Sequence, residues 1–124
     1  MADVSSFSIV HGGVNTGMTA LAGGAQPTLA ANTCSGAVNT VTTVATDNDS
    51  VLLPSDRVTG AAVSVYNLDA AQDIKVYPPS GGTINGAAAD AALVVGQQQG
   101  ASCQCISDDG LTWVALLGSV ATPA

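Results

Sequence analysis

From Val38 onward, turn signals recur about every ten residues, and that spacing constrains the fold more than any other feature of the chain. Between the turns lie short β-branched or alternating runs: Val38–Val44, Gly60–Leu68, Asp73–Tyr77, Ala91–Val95, Ala101–Ile106 and Leu111–Leu117. Within Gly60–Leu68, Ala61, Val63 and Val65 alternate with Ala62, Ser64 and Tyr66, the period of a strand with two unlike faces. Thr46–Ser50 is a turn cluster, Pro78-Pro79-Ser80-Gly81-Gly82 stops a strand, and Ser107-Asp108-Asp109-Gly110 is a hairpin turn. Asp69–Gln72 predicts a hairpin joining Gly60–Leu68 to Asp73–Tyr77, with Tyr66 and Tyr77 near each other across it. Ala87–Leu93 has helical propensity but is too short to stand as a helix, so it reads as loop into strand. The expected fold is all-β, a small antiparallel β-sandwich or jelly-roll-like barrel over residues 38–118.

Residues 1–37 have a different texture. Gly, Ala, Thr, Ser and Asn follow one another without clear period, around isolated anchors such as Phe7, Ile9, Val10, Met18, Leu21 and Leu29. A compact domain rarely carries so long a structureless segment. The expectation is an extended N-terminal arm that orders against another molecule, with Phe7, Ile9, Val10 and Leu21 as its contacts. Residues 119–124 read as a short C-terminal tail.

Charge narrows the partners. Charged residues make up 9 % of the chain and the net charge is −7, with Arg57 and Lys75 the only cations besides the N-terminus. Clustered Lys or Arg is needed to displace counterions from phosphates, so nucleic acid and anionic membranes are not expected partners. Aromatic residues make up only 3 %. A domain this small, with few large packing groups and few surface charges, suits burial against a neighbour, and a homo-oligomer is expected. The N-terminus lacks the basic and apolar regions of a secretory signal, and Asp90 interrupts the best apolar run. The expectation is a soluble chain made in a cytosol.

Residues that could carry chemistry favour structural roles. Cys34, Cys103 and Cys105 form no disulfide framework and read as small buried hydrophobes; no metal or cofactor is expected, since His11 stands alone. Asp47-Asn48-Asp49-Ser50 lacks the glycine and distal acid of a calcium loop and reads as a solvated turn. No Ser-His-Asp set and no apolar carboxylate pair stands out, so no catalytic residue is assigned and no enzyme is expected. Val63, Val65, Tyr66, Val76 and Trp113 are expected in the core or a subunit interface, together with Ile74, Ile106, Val114 and Leu116. A sugar-stacking role for Trp113 is the alternative, without companion aromatics to support it.

The order Val41-Thr42-Thr43-Val44-Ala45, Asp49-Ser50-Val51-Leu52-Leu53-Pro54, Val63-Ser64-Val65-Tyr66-Asn67 and Ile74-Lys75-Val76-Tyr77-Pro78, followed by Ile84-Asn85-Gly86, Gly100, Cys103, Gly110 and Trp113, resembles a β-domain of tailed-bacteriophage structural proteins. The resemblance spans residues 38–118 and carries no catalytic residues. It implies a virion protein. With no room for a long shaft, it suits a capsid decoration (cement) protein that trimerises on the outer capsid surface and clamps the major capsid protein. A short head-fibre or tail-associated adaptor, or a host-surface carbohydrate-binding module, is the alternative.

Overall fold

A computed structural model describes residues 13–119. Among them the chain is all-β, with one turn of 3-10 helix at Ala30–Asn32. Nine strands form: β1 (Val14–Thr19), β2 (Val38–Thr43), β3 (Asp49–Leu52), β4 (Ala62–Asn67), β5 (Ile74–Tyr77), β6 (Thr83–Ile84), β7 (Leu93–Val95), β8 (Gln99–Cys105) and β9 (Thr112–Ser119). A six-stranded sheet has the order β1-β2-β4-β8-β9-β6, and a three-stranded sheet the order β3-β5-β7.

The strand directions differ from the expected antiparallel arrangement. β1, β2 and β4 are parallel neighbours, as are β3 and β5. Successive passes of the chain therefore stack as solenoid-like rungs, each giving a strand to the larger sheet and a segment to the smaller one. Val14 pairs with Val38 and Val38 with Ser64, while Asp49 pairs with Ile74 on the other side. The corners stack in step. Asn48 N–H donates to the Asp73 carbonyl at 2.8 Å, Asp73 N–H donates to Asp47 Oδ1 at 2.9 Å, and Gln97 N–H donates to Asp73 Oδ1 at 3.1 Å. Gly24, Asn48, Asp73 and Gln97 thus mark a repeat of roughly 25 residues, a typical solenoid period. The last strands reverse direction: β7 runs antiparallel to β5, β8 to β4 and β9 to β8.

The expected β4–β5 hairpin does not form. Asn67, fully buried at the end of β4, donates to the carbonyls of Gln72, Val95 and Gly96, and its Oδ1 accepts from Asp69 N–H. These bonds carry the chain round a corner into the smaller sheet instead of back along β4. Tyr77 consequently lies in a different sheet from Tyr66, with its hydroxyl donating to the Gly24 carbonyl at 2.6 Å.

The arm expected over residues 1–37 is overturned from Gly13 on. β1 is paired in the sheet, Leu21 bridges to Ser50, and Met18, Ala20 and Cys34 are buried in the core. Small and polar residues need no period of their own here, because their backbone bonds to the next rung and only scattered side chains point inward. At the other end, Ser119 belongs to β9 rather than to a tail. Phe7, Ile9, Val10 and His11 lie outside the described residues.

The core lies between the two sheets. Val41, Val63, Val65, Cys103, Cys105 and Trp113 from the larger sheet form one cluster with Val51, Leu53, Ile74, Val76 and Val95. Asn39 also points inward, and its amide bonds the Gly36 N–H, the Gly36 carbonyl and the Ser64 carbonyl, so the buried polar group is satisfied. Asp49 corrects the reading of its loop as a solvated turn. It is 1 % exposed, and its carboxylate accepts from the N–H groups of Gly23 and Thr46.

Candidate assembly surface

The two faces of the larger sheet differ in kind. Val63, Val65 and Trp113 point into the core and are wholly buried, as is Val76 in the opposing sheet. The alternate residues of β4, β8 and β9 point outward. Register sets them in rows: Ala62 beside Gln104 beside Val114, Ser64 beside Ser102 beside Leu116, and Tyr66 beside Gly100 beside Gly118. Val38 and Thr40 of β2 extend the lower rows. None of these eleven positions is charged. Leu116 is 78 % exposed, and Val114 and Tyr66 about 40 % and 37 %.

Relief on this face is shallow. A trough of about 240 Å³ runs between the Tyr66 ring and Leu116 over Gly100 and Gly118. It adjoins a second depression bounded by Ala62, Asn85, Gln104 and Val114. The glycines make the floor. A β-carbon on Gly100 would come within 2.6 Å of Tyr66 Cδ1, so the ring lies directly over the bare backbone. An aromatic laid over a strand glycine covers backbone that would otherwise meet water. The result is a broad surface suited to a flat protein partner, without the enclosed, polar-lined cavity of a small-molecule site.

β9 has a second unusual property at its far end. On its outer edge, β6 pairs only at Thr83–Thr112 and Ile84–Trp113. Asn85 then substitutes for one more residue of strand: Ala115 N–H donates to Asn85 Oδ1 at 2.8 Å, and Asn85 Nδ2 donates to the Ala115 carbonyl at 3.0 Å. Backbone polar groups alternate sides along a strand, so those of Leu117 and Ser119 point to this same edge. Among the described residues, no strand pairs with them there.

Trp113 is placed by chemistry that rules out a sugar platform. Its ring is 0 % exposed, and its indole N–H donates to the Gly110 carbonyl at 2.9 Å within the β8–β9 turn. That turn is held by Asp109, whose carboxylate accepts from the Ser107 hydroxyl at 2.6 Å and the Leu111 N–H at 3.0 Å. These bonds hold the Asp109 carboxyl below its ordinary range. Arg57 is buried beside the turn, paired with Asp56 and donating to the Ser35 carbonyl. The cysteines are buried thiols. Burial pushes Cys103 up to about 12 and raises Cys34 as well, with the nearby Cys103 adding to the effect on Cys34.

Of the residues expected at a core or interface, only Tyr66, Val114 and Leu116 meet on the exposed face; Ile106 is exposed beyond the end of β8. Ser102, Gln104, Gly100, Gly118, Asn85 and Leu117 are constituents that sequence reasoning passed over. One signal was available in Thr112–Ser119, which carries apolar residues at both parities, Trp113, Ala115 and Leu117 against Val114 and Leu116. Strands buried on both faces read in this way, whereas here Val114 and Leu116 are exposed. Among the described residues, no cluster of three metal-ligating side chains occurs and no helix is long and apolar enough to cross a membrane. Comparison with protein-family models and with curated proteins finds no match to this chain.

Proposed function

We propose that this chain is a non-enzymatic virion structural protein, a decoration protein that assembles as a homotrimer on the outer capsid of a tailed bacteriophage and braces the major capsid protein. The observation that carries the reading is the uncharged outer face of β4, β8 and β9, with Leu116 standing exposed at its centre. An exposed apolar patch bordered by neutral polar groups is the surface of an assembly partner. Burying it sacrifices no charge hydration, whereas among the described residues the acidic side chains lie on turns and loops, apart from the buried Asp49 that opens β3. The resemblance over residues 38–118 supplies the virion setting. Bracing by added contacts needs neither a catalytic group nor a cofactor.

The finer architecture is read as a short two-sheeted solenoid closed by antiparallel strands, in place of the sandwich or jelly-roll barrel that turn spacing alone suggests. Stacked parallel rungs also occur in fibrous assemblies, and this favours a head-fibre or tail-associated adaptor as the second reading. Reconstruction of the virion whose genome encodes the chain separates the two. Three-lobed density at three-fold positions of the head is the expected result. Density confined to the tail or to a single vertex would transfer the protein to the adaptor class, and absence from the particle would end both readings.

A further inference from the structure

We infer that Asn85 is a guarded deamidation site: Ala115 holds its amide unreactive in the folded chain, and its conversion to a carboxylate loosens assembly through the neighbouring face. The loss of assembly rests on the trimer reading above; the modification itself does not.

Sequence and local geometry mark this residue. Asn85 is the one asparagine followed by glycine; the others precede Thr, Asp or Leu. Deamidation begins when the following backbone nitrogen attacks the side-chain carbonyl carbon, and a side chain on that following residue hinders the approach. Gly86 sets no such barrier. It is exposed, and even a β-carbon there would meet nothing within 4 Å. In the step, the Gly86 nitrogen bonds Asn85 Cγ and gives up its proton, the Cγ–Nδ2 bond breaks, and ammonia leaves. Water then opens the cyclic imide at either carbonyl, giving aspartate or isoaspartate. Water is the co-reactant, and nothing is oxidised or reduced.

The fold opposes this step on two sides. Ile84-Asn85-Gly86-Ala87 is a closed turn: Ala87 N–H donates to the Ile84 carbonyl at 3.1 Å, and the two central residues have φ +55° and +74°. The Asn85 amide is meanwhile engaged on β9, with Oδ1 accepting from Ala115 N–H and the leaving group, Nδ2, donating to the Ala115 carbonyl. Attack on Cγ requires both bonds to open and the turn to relax, so the native rate follows the population of that opened state.

Conversion changes the surface in a defined way. Ionised aspartate cannot donate to the Ala115 carbonyl and sets a second oxygen against it. Isoaspartate also lengthens the main chain inside the turn that leaves β6. Either product adds negative charge to the depression that Asn85 bounds with Ala62, Gln104 and Val114, on a face whose strand positions carry none. Covering that face with another copy would then desolvate a carboxylate.

Mass spectrometry of the full chain, incubated folded and in urea at mildly alkaline pH, tests the site. The unfolded chain should convert at Asn85 before any other asparagine, and folding should slow that conversion about tenfold or more. Ala115→Pro removes the guarding N–H and no β8 ladder bond, so it should speed conversion in the folded state and leave the urea rate unchanged. Hydrogen exchange of the native chain gives a second measure that needs no variant: the Ala115 amide should be protected. Equal conversion rates with and without urea, an unprotected Ala115 amide, or another asparagine converting first would overturn the inference. Sedimentation of the converted chain, separated by ion exchange, reads the assembly step, and a trimer weakened about tenfold is expected. A converted chain that trimerises as tightly as the native one would overturn that step. A native chain that never trimerises would instead overturn the trimer reading and the assembly step together, while conversion rates and amide protection decide the guarded site independently.

Discussion

The side-chain amide of Asn85 bonds both backbone groups of Ala115, accepting from its N–H at 2.8 Å and donating to its carbonyl at 3.0 Å. One side chain thus completes the pairing of β9 where β6 ends, and it does so from a residue at φ +55°, a conformation that asparagine tolerates better than most. Asn85→Ala removes both bonds and places a less tolerant residue at positive φ. The expected loss is about 1 kcal/mol, because the site is exposed and water replaces part of each bond. Urea denaturation measures it, and Asn85→Asp should lose the donated bond while retaining an acceptor for Ala115 N–H.

Rung stacking gives a sharper comparison between adjacent glycines. Gly23 and Gly24 both have positive φ, but a β-carbon on Gly23 meets nothing within 4 Å, whereas one on Gly24 would lie 2.5 Å from the Asn48 carbonyl oxygen. Gly23→Ala should cost about 1 kcal/mol from backbone strain alone. Gly24→Ala must also separate the first rung from the second and should cost about 2 kcal/mol more, read as a difference in midpoint between the two variants.

Trp113→Ala should be the most damaging single truncation of the core. The ring is wholly buried, and its N–H satisfies the Gly110 carbonyl in the β8–β9 turn. Removal leaves a cavity and an orphaned carbonyl, for an expected loss of about 3–5 kcal/mol in denaturant unfolding. No change in glycan binding is expected from this substitution, since the ring does not reach the surface.

Stability should fall on the alkaline side. A thiol whose folded pKa is raised is held neutral by the native state, so its contribution is complete below the unfolded value of about 8.5. It is lost as pH rises from there toward the folded value, which for Cys103 is about 12. Cys34 acts in the same direction. Thermal midpoints should therefore decline above about pH 9, and Cys103→Ala should lessen the pH dependence even where it lowers the midpoint. Thiol alkylation at pH 8 should be slow until the chain unfolds.

Strand positions and the all-β class were legible because turn residues and period-two alternation are local signals. Val63, Val65, Val76 and Trp113 could be assigned to the core on parity and size. Pairing direction was not legible from the same signals. The short connection between β4 and β5, residues 68–73, looks like a hairpin turn, and only the multiple bonds of buried Asn67 reveal that it is a corner between sheets. The first rung was missed for a related reason, since Met18, Ala20 and Cys34 are too sparse to make a period. A longer-range signal was present. Val14-Asn15-Thr16 returns as Val38-Asn39-Thr40, and Pro27, Pro54 and Pro78 follow at similar intervals. The two tripeptides begin in register as parallel neighbours, Val14 with Val38 and Asn15 with Asn39. Self-comparison at a lag of roughly 25 residues, rather than inspection of local period, is what exposes a solenoid-like stack. The exposed face needed the structure, because Gly100, Gly118 and Ser102 acquire meaning only from their place beside Tyr66 and Leu116.

The oligomeric state of the full chain, measured by sedimentation equilibrium across 1–100 µM beside Leu116→Asp, bears most directly on assembly through the uncharged face. Leu116 is exposed in the isolated chain, so a carboxylate there leaves the core untouched but would be desolvated in the interface. The expected result is a trimer for the native chain and a folded monomer for the variant, with matching circular dichroism. A native chain that remains monomeric throughout that range, or a variant that trimerises as tightly as the native chain, would contradict it.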